Sequence, residues 1–193
     1  ELGAPLILQA GPGCRAHTPL PILAKMMGHL ADQASVPIVM HLDHAYELED
    51  CRIAAGEGFT SLMYDGSSKP LEQNIEAMQG VVALAREHKI STEGEVGFVG
   101  YAAGKQSRST DPMEAKRFVD ETGVDALAVS VGNVHLQQEK SGGLDEAAIK
   151  AIEKAVEIPL VIHGGSGVPT DQRLHLAKTS NICKFNIGTD LRM

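Results

Sequence analysis

Short apolar runs alternate along the chain with longer stretches in which apolar residues recur every three or four positions. The runs cover 4–9, 36–40, 59–64, 90–96, 126–131, 159–162 and 182–187. Most are apolar at successive positions, the pattern of strands covered on both faces in a parallel sheet. The run at 90–96, Ile-Ser-Thr-Glu-Gly-Glu-Val, is unusually polar, and alternation along a strand sets Glu93 and Glu95 on one face. Between the runs, helical periodicity covers 18–30, 47–55, 70–88, 111–123, 144–156 and 171–177. The clearest stripe is Leu71, Ile75, Met78, Val82 and Ala85. Asp111-Pro112-Met113-Glu114 has the cap, proline and acid of a helix start, and Gly56 and Gly123 follow helix ends.

Strand, loop and helix recur every 25–35 residues or so, the size of a βα crossover unit. Three strands open on related words, Pro-Leu-Ile-Leu, Pro-Ile-Val-Met and Pro-Leu-Val-Ile. The chemically unusual residues follow the C-terminal ends of strands, where a (β/α)8 TIM barrel keeps its active site. Only seven strands are legible, whereas such a barrel has eight and usually about 250 residues. The expectation is a single α/β barrel domain over 1–193 that is incomplete, with the first strand and the C-terminal helices missing. An open, doubly wound seven-stranded sheet is the alternative.

A net charge of −8 is spread over the helical stretches as a solvated outer face, and no basic block points to nucleic acid. No apolar run reaches the ~18 residues of a membrane span, and no secretory signal is visible. Three cysteines, an odd number without a C-x-x-C pair, suit reduced thiols and a cytoplasmic location. Cys51 and Cys183 read as small core residues.

The candidate chemistry begins at His41-Leu42-Asp43-His44, where a strand passes into a loop. His135 and His163 follow two later strands. Three imidazoles, His44, His135 and His163, could converge across a barrel mouth and leave a metal ion an open position. Asp43 and His44 cannot face the same way along a regular strand, so a bend is needed for one to bind metal and the other to face substrate. Asp43 would then serve as general acid or base, or orient a histidine. Glu95 and Asp65 are further oxygen ligands or groups behind the ion. His17, His29, His88 and His175 read as surface residues. His163-Gly164-Gly165-Ser166-Gly167 and the stretch Asn186–Thr189 expose backbone N–H groups that suit an anion. The Gly-rich stretch 97–110, with Lys105 and Arg108, is long enough for a functional loop.

Together these words, with Asp65-Gly66-Ser67, Glu93-Gly94-Glu95-Val96-Gly97, Val131-Gly132-Asn133-Val134-His135 and Lys184-Phe185-Asn186-Ile187-Gly188-Thr189-Asp190, resemble class II, metal-dependent ketose-bisphosphate aldolases. The resemblance runs in order through nearly the whole chain. It implies a zinc-dependent lyase of carbohydrate metabolism, including glycolysis, that cleaves fructose or tagatose 1,6-bisphosphate into dihydroxyacetone phosphate and an aldehyde. His44, His135 and His163 would hold one zinc ion, Glu95 matches a position that binds metal in some members, and a monovalent cation is an optional addition. Asp43 would move the proton of the hydroxyl at the cleaved carbon. Gly164, Gly165, Ser166, Asn186, Gly188 and Thr189 would hold the phosphate, and a homodimer or homotetramer is implied. Two places depart from the family pattern. Val99-Gly100-Tyr101-Ala102-Ala103 lacks the loop acid of many members, which leaves Tyr101 as loop proton donor, weak in that role with an ordinary pKa near ~10. Gln9-Ala10-Gly11 lacks the serine of fructose-specific members. Two alternatives stand: a non-catalytic sugar-phosphate-binding or partner subunit on the same barrel, and a metal-dependent hydrolase.

Overall fold

The computed structural model describes residues 3–101, 104, 106–136 and 143–192. Its strands are β1 (Leu6–Ala10), β2 (Ile38–Ala45), β3 (Ser61–Tyr64), β4 (Ser91–Val96), β5 (Ala126–Val129), β6 (Leu160–Ile162) and β7 (Ile182–Phe185). The helices are α1 (Pro12–Arg15), α2 (Leu20–Gln33), α3 (Leu48–Gly56), α4 (Leu71–His88), α5 (Pro112–Thr122), α6 (Glu146–Ala155), α7 (Thr170–Thr179) and α8 (Thr189–Arg192). The helix boundaries follow local chemistry. The Asp111 side chain accepts from the N–H groups of Met113 and Glu114 to start α5, and Gly123 ends it with φ 65°.

All seven strands are parallel and lie in sequence order, β1 to β7. A doubly wound sheet reverses its strand order at a switch point. No reversal occurs here, so that alternative is corrected to a curled half-barrel. No eighth strand and no β1–β7 pairing occur among the described residues. The edge strand β1 leaves Leu6 54% and Ile7 37% exposed. No helix among the described residues is long and apolar enough to cross a membrane.

The two faces of the sheet differ. The large core lies between strands and helices and includes Leu42, Leu62, Phe59, Met78, Phe118, Leu127, Ile152 and Ile162. On the other face the apolar cluster is small: Met63, Ala128 and Val161, with Ala126 beside it. Alternation places His41 and Asp43, Glu93 and Glu95, and Lys184 and Asn186 on that inner face. Five ionisable groups there, His41, Glu93, Glu95, His163 and Lys184, are buried. Charges at such depth are costly unless paired, so the inner face is built for something other than packing. Cys51 is buried as expected, whereas Cys183 is exposed on β7, because its position in the strand alternates with that of buried Lys184. His17, His29, His88 and His175 are all exposed.

Candidate metal centre and substrate pocket

The tetrad at 41–44 does not lie in a loop. Strand β2 continues through it to Ala45, and its pairing with β3 shifts register between Leu42 and Ala45. His44 sits at this irregularity with φ 49°, a left-handed conformation that a non-glycine residue keeps only when its surroundings hold it. Arg15, from the short helix α1, supplies that hold. Its Nη1 donates to the main-chain oxygens of Ala10 at 2.7 Å and Asp43 at 2.6 Å, and its Nη2 donates to that of His44 at 3.0 Å. The bend thus exists, and it separates the directions of Asp43 and His44.

The structure brings His44, His135 and His163 together. One ring nitrogen from each lies within 4.8 Å of the others. Ring centroids are 4.5 Å apart for His44 and His163, 5.1 Å for His44 and His135, and 5.7 Å for His135 and His163. Hydrogen bonds settle two of the ring orientations. His44 Nδ1 lies 2.9 Å from Asp65 Oδ2, and an ionised carboxylate only accepts, so Nδ1 carries the hydrogen and Nε2 is left for an ion. His163 Nε2 lies 3.0 Å from Glu93 Oε1, so Nδ1 is the free nitrogen. That Nδ1 and Glu95 Oε2 are 3.3 Å apart, both buried, and neither has a hydrogen-bond partner. Two orphaned lone-pair atoms facing each other are what a cation would satisfy, so the residues present fit a divalent ion held by three imidazoles. Glu95 also groups with His44 and Asp65 as a second possible ligand set.

The electrostatics agree. Burial would lower the His163 imidazole, but the carboxylates of Glu93 and Glu95 outweigh it and raise it. Burial and His163 oppose charge on His44, yet the Asp65 hydrogen bond, Asp43 and Glu95 raise it. Burial, then the imidazoles of His44 and His163, lower His135 to about 3. Burial would raise Asp65, but hydrogen bonds from His44 and Ser67 bring it down to about 2. Burial likewise would raise Asp43, and the imidazoles of His44, His163 and His41 pull it down instead. The site thus favours positive charge at its centre and keeps Asp43 an anion.

Asp43 is held by one oxygen only. Gln9 Nε2 and Asn186 Nδ2 donate to its Oδ1 at 3.3 and 3.2 Å. Its Oδ2 faces Gly11, where a Cβ would come within 3.1 Å. The pocket above, about 470 Å³, is lined by Asp43, His44, His135, Tyr101, Gly164, Ser166, Asn186, Gly188 and Thr189, with Gln9, Gly11 and Cys14 on its β1 side. Tyr101 stacks on His135 with centroids 4.9 Å apart, and His135 N–H donates to Gly100 O at 2.8 Å. Ala102, Ala103 and Lys105 lie outside the described residues, while Arg108 pairs with Glu114 at 3.1 Å.

The glycine-rich turn after β6 forms a 3₁₀ turn, Gly165–Gly167. Gly164 has φ 65°, and a Cβ there would meet Val134 O at 2.1 Å, so only glycine fits. Ser166 Oγ accepts from the N–H groups of Gly188 and Asp190, both at 3.2 Å, which ties this turn to the loop after β7. Gly165 does not line the pocket. It is buried beneath it and gives its N–H to Asn186 O at 3.0 Å. Glu95 too is buried below the pocket rather than lining it.

Three participants are not marked in the sequence as site residues: Arg15, Glu93 and Lys184. Lys184 Nζ donates to Glu93 Oε2, across 91 positions of sequence, and lies 3.1 Å from His41 Nε2. The signals in the sequence are the shared face of Glu93 and Glu95 and the place of Glu93 and Lys184 in the motifs that carry the resemblance.

This constellation has known relatives. The family model for class-II fructose-bisphosphate aldolases matches residues 1–193. The chain belongs to this family. A curated relative, the 6-phospho-5-dehydro-2-deoxy-D-gluconate aldolase of Shouchella clausii (strain KSM-K16), is 42% identical over 170 residues, 86% of this chain. Those residues are 58% of the relative, so the chain spans less than two thirds of its length. Among solved structures, the YdjI aldolase of Escherichia coli K12 aligns with a TM-score of 0.84 at 34% identity, covering 98% of this chain and 68% of its own. A putative fructose-1,6-bisphosphate aldolase from Coccidioides immitis aligns with a TM-score of 0.83 at 29% identity, covering 95% of this chain and 67% of its own.

Proposed function

We propose that this chain forms the catalytic body of a zinc-dependent aldolase that cleaves a phosphorylated ketose to dihydroxyacetone phosphate and an aldehyde. The observation that carries the reading is the convergence of His44, His135 and His163 beside Asp43, whose Oδ2 is left free and ionised. The zinc ion would be held by those three imidazoles with Glu95 close by, and it would supply Lewis-acid polarisation of the ketone. Asp43 takes the proton of the hydroxyl at the cleaved carbon, and Gln9 and Asn186 fix which oxygen does so. Ser166, Gly188 and Thr189, with Gly164 and Asn186, hold the phosphate at the mouth of β6 and β7, and Gly165 supports that turn from below. Tyr101, stacked over His135, would return a proton from the loop side. The exposed Leu6 and Ile7 on the β1 edge would be covered by a further strand that closes a (β/α)8 barrel, and a cytoplasmic homo-oligomer is part of the proposal.

The substrate end is shared chemistry. Fructose and tagatose 1,6-bisphosphate present a ketone next to a phosphorylated carbon, and so does 6-phospho-5-dehydro-2-deoxy-D-gluconate. All three yield dihydroxyacetone phosphate on retro-aldol cleavage; the two bisphosphates, epimers at the cleaved carbon, release the same phosphorylated aldehyde, and the third releases an aldehyde that carries a carboxylate. Gly11, which stands where fructose-specific members of the family carry serine, lies beside Asp43 and counts against fructose 1,6-bisphosphate, while the 42% identical relative supports the third compound. The test is release of dihydroxyacetone phosphate from each of the three by zinc-loaded protein, with chelation as control. Cleavage of none of them, or products that carry added water, would overturn the reading.

A further inference from the structure

Beneath His163 runs a line of buried side chains that the reaction itself does not use. Ser61 Oγ lies 2.8 Å from His41 Nδ1, His41 Nε2 lies 3.1 Å from Lys184 Nζ, Lys184 Nζ donates to Glu93 Oε2, and Glu93 Oε1 lies 3.0 Å from His163 Nε2. These residues come from β3, β2, β7, β4 and the end of β6, and none is more than 9% exposed.

The donors and acceptors allow one arrangement of the hydrogens. A lysine ammonium only donates, so His41 Nε2 accepts and His41 Nδ1 carries the hydrogen given to Ser61. A carboxylate only accepts, so Glu93 takes one hydrogen from Lys184 and one from His163 Nε2. The line thus commits His163 Nε2 to Glu93 and leaves Nδ1, which faces Glu95 at 3.3 Å, as the nitrogen an ion would take. Burial and Lys184 keep His41 neutral, at about 4, which agrees with its role as acceptor.

Stability is a poor explanation for such a line. Buried ion pairs are often replaceable by apolar residues with no loss, because desolvation offsets the attraction. A histidine that binds metal, by contrast, depends on the group behind it for its tautomer and ring angle.

We propose that Glu93 and Lys184 are positioning residues for the ion: Glu93 fixes His163 in the tautomer that presents Nδ1, and Lys184 is the counter-charge that holds Glu93 in place as a carboxylate. This rests on the three-histidine centre of the proposed function. It predicts that metal affinity, rather than folding, is what the pair secures.

The test is titration of the metal-free protein with Co2+ and with Zn2+ against a chromogenic chelator, together with the visible spectrum of the Co2+ form and the thermal midpoint of the ion-free form. The variants are Glu93→Gln, the double Glu93→Gln/Lys184→Met, which leaves no unpaired charge, and His44→Ala. The expected result is a 10–100-fold loss of affinity in the double variant, a smaller loss in Glu93→Gln, whose amide oxygen still accepts from His163, and an altered Co2+ spectrum in both. The ion-free midpoint of the double variant should match or exceed that of the parent. Parent-like affinity and spectrum in the double variant would overturn the proposal. Should the double variant not fold, Glu93→Gln decides alone, and parent-like affinity there overturns it equally. His44→Ala binding as tightly as the parent would instead overturn the three-histidine centre, so the two failures are distinguishable.

Discussion

Arg15 grips the main chain of His44, donating from Nη2 at 3.0 Å while its Nη1 reaches Asp43 O at 2.6 Å. The guanidinium fork reaches three carbonyls that an ammonium on a flexible stem cannot satisfy together. Arg15→Lys and Arg15→Met should each destabilise the protein by about 1–3 kcal/mol and weaken metal binding, because His44 loses its left-handed hold. Urea unfolding and metal titration check this. Metal affinity in Arg15→Lys equal to that of the parent would contradict it.

Asp43→Asn keeps an oxygen for Gln9 and Asn186 but removes the base. Turnover should fall about 10²–10⁴-fold with zinc content unchanged, as read by metal analysis beside the cleavage assay. Undiminished cleavage would remove Asp43 from the proton-transfer role.

Two left-handed glycines with nearly equal φ should respond differently to alanine. At Gly123 the new Cβ meets the mobile end of Arg86 at 2.9 Å, so the cost is the backbone term, about 1–2 kcal/mol. At Gly164 it meets Val134 O at 2.1 Å, and the cost should reach about 3–5 kcal/mol. Gly164→Ala should also loosen zinc, since Val134 precedes His135. Equal unfolding free energies for the two variants would argue that the turn after β6 yields more easily than its packing indicates.

Burial pushes the Cys51 thiol up from 9.0 to about 12. A raised thiol pKa means the folded state favours the protonated form. Its contribution to stability is therefore complete below pH 9 and is lost as pH rises from 9 toward about 12. Compared with Cys51→Ala, the parent should lose extra stability over that window, with a slope approaching about 1.4 kcal/mol per pH unit. Urea unfolding at pH 8, 9.5 and 10.5 measures the difference, and parallel curves would show that Cys51 does not titrate. In the native state at pH 8, an alkylating reagent should reach exposed Cys14 and spare Cys51.

Six apolar runs and the more polar run at 90–96 reveal the seven strands, and the helix stripes of α4 and α5 end within two residues of the periodic pattern. What was hidden depends on contacts across the sequence. The tetrad reads as loop because polar residues interrupt the apolar run, yet β2 continues through it, its polar side chains lying on the inner face. Helix α1 is four residues long, too short for any periodicity, although it carries Arg15. His44, His135 and His163 are legible because each follows an apolar run, although β2 itself continues through His44. Glu93 and Lys184 are not, because nothing local pairs residues from β4 and β7. Cys183 reads as core by residue type and is exposed by its place in the strand alternation.

The sequence-ordered sheet also sets a timetable. His44, His135 and His163 belong to β2, the loop after β5 and the end of β6, so a chain emerging from the ribosome offers at most two of the three imidazoles until β6 has joined. Lys184 and Asn186 arrive later still. An ion on all three imidazoles therefore has to wait for β6, and the Lys184–Glu93 pair behind His163 has to wait for β7.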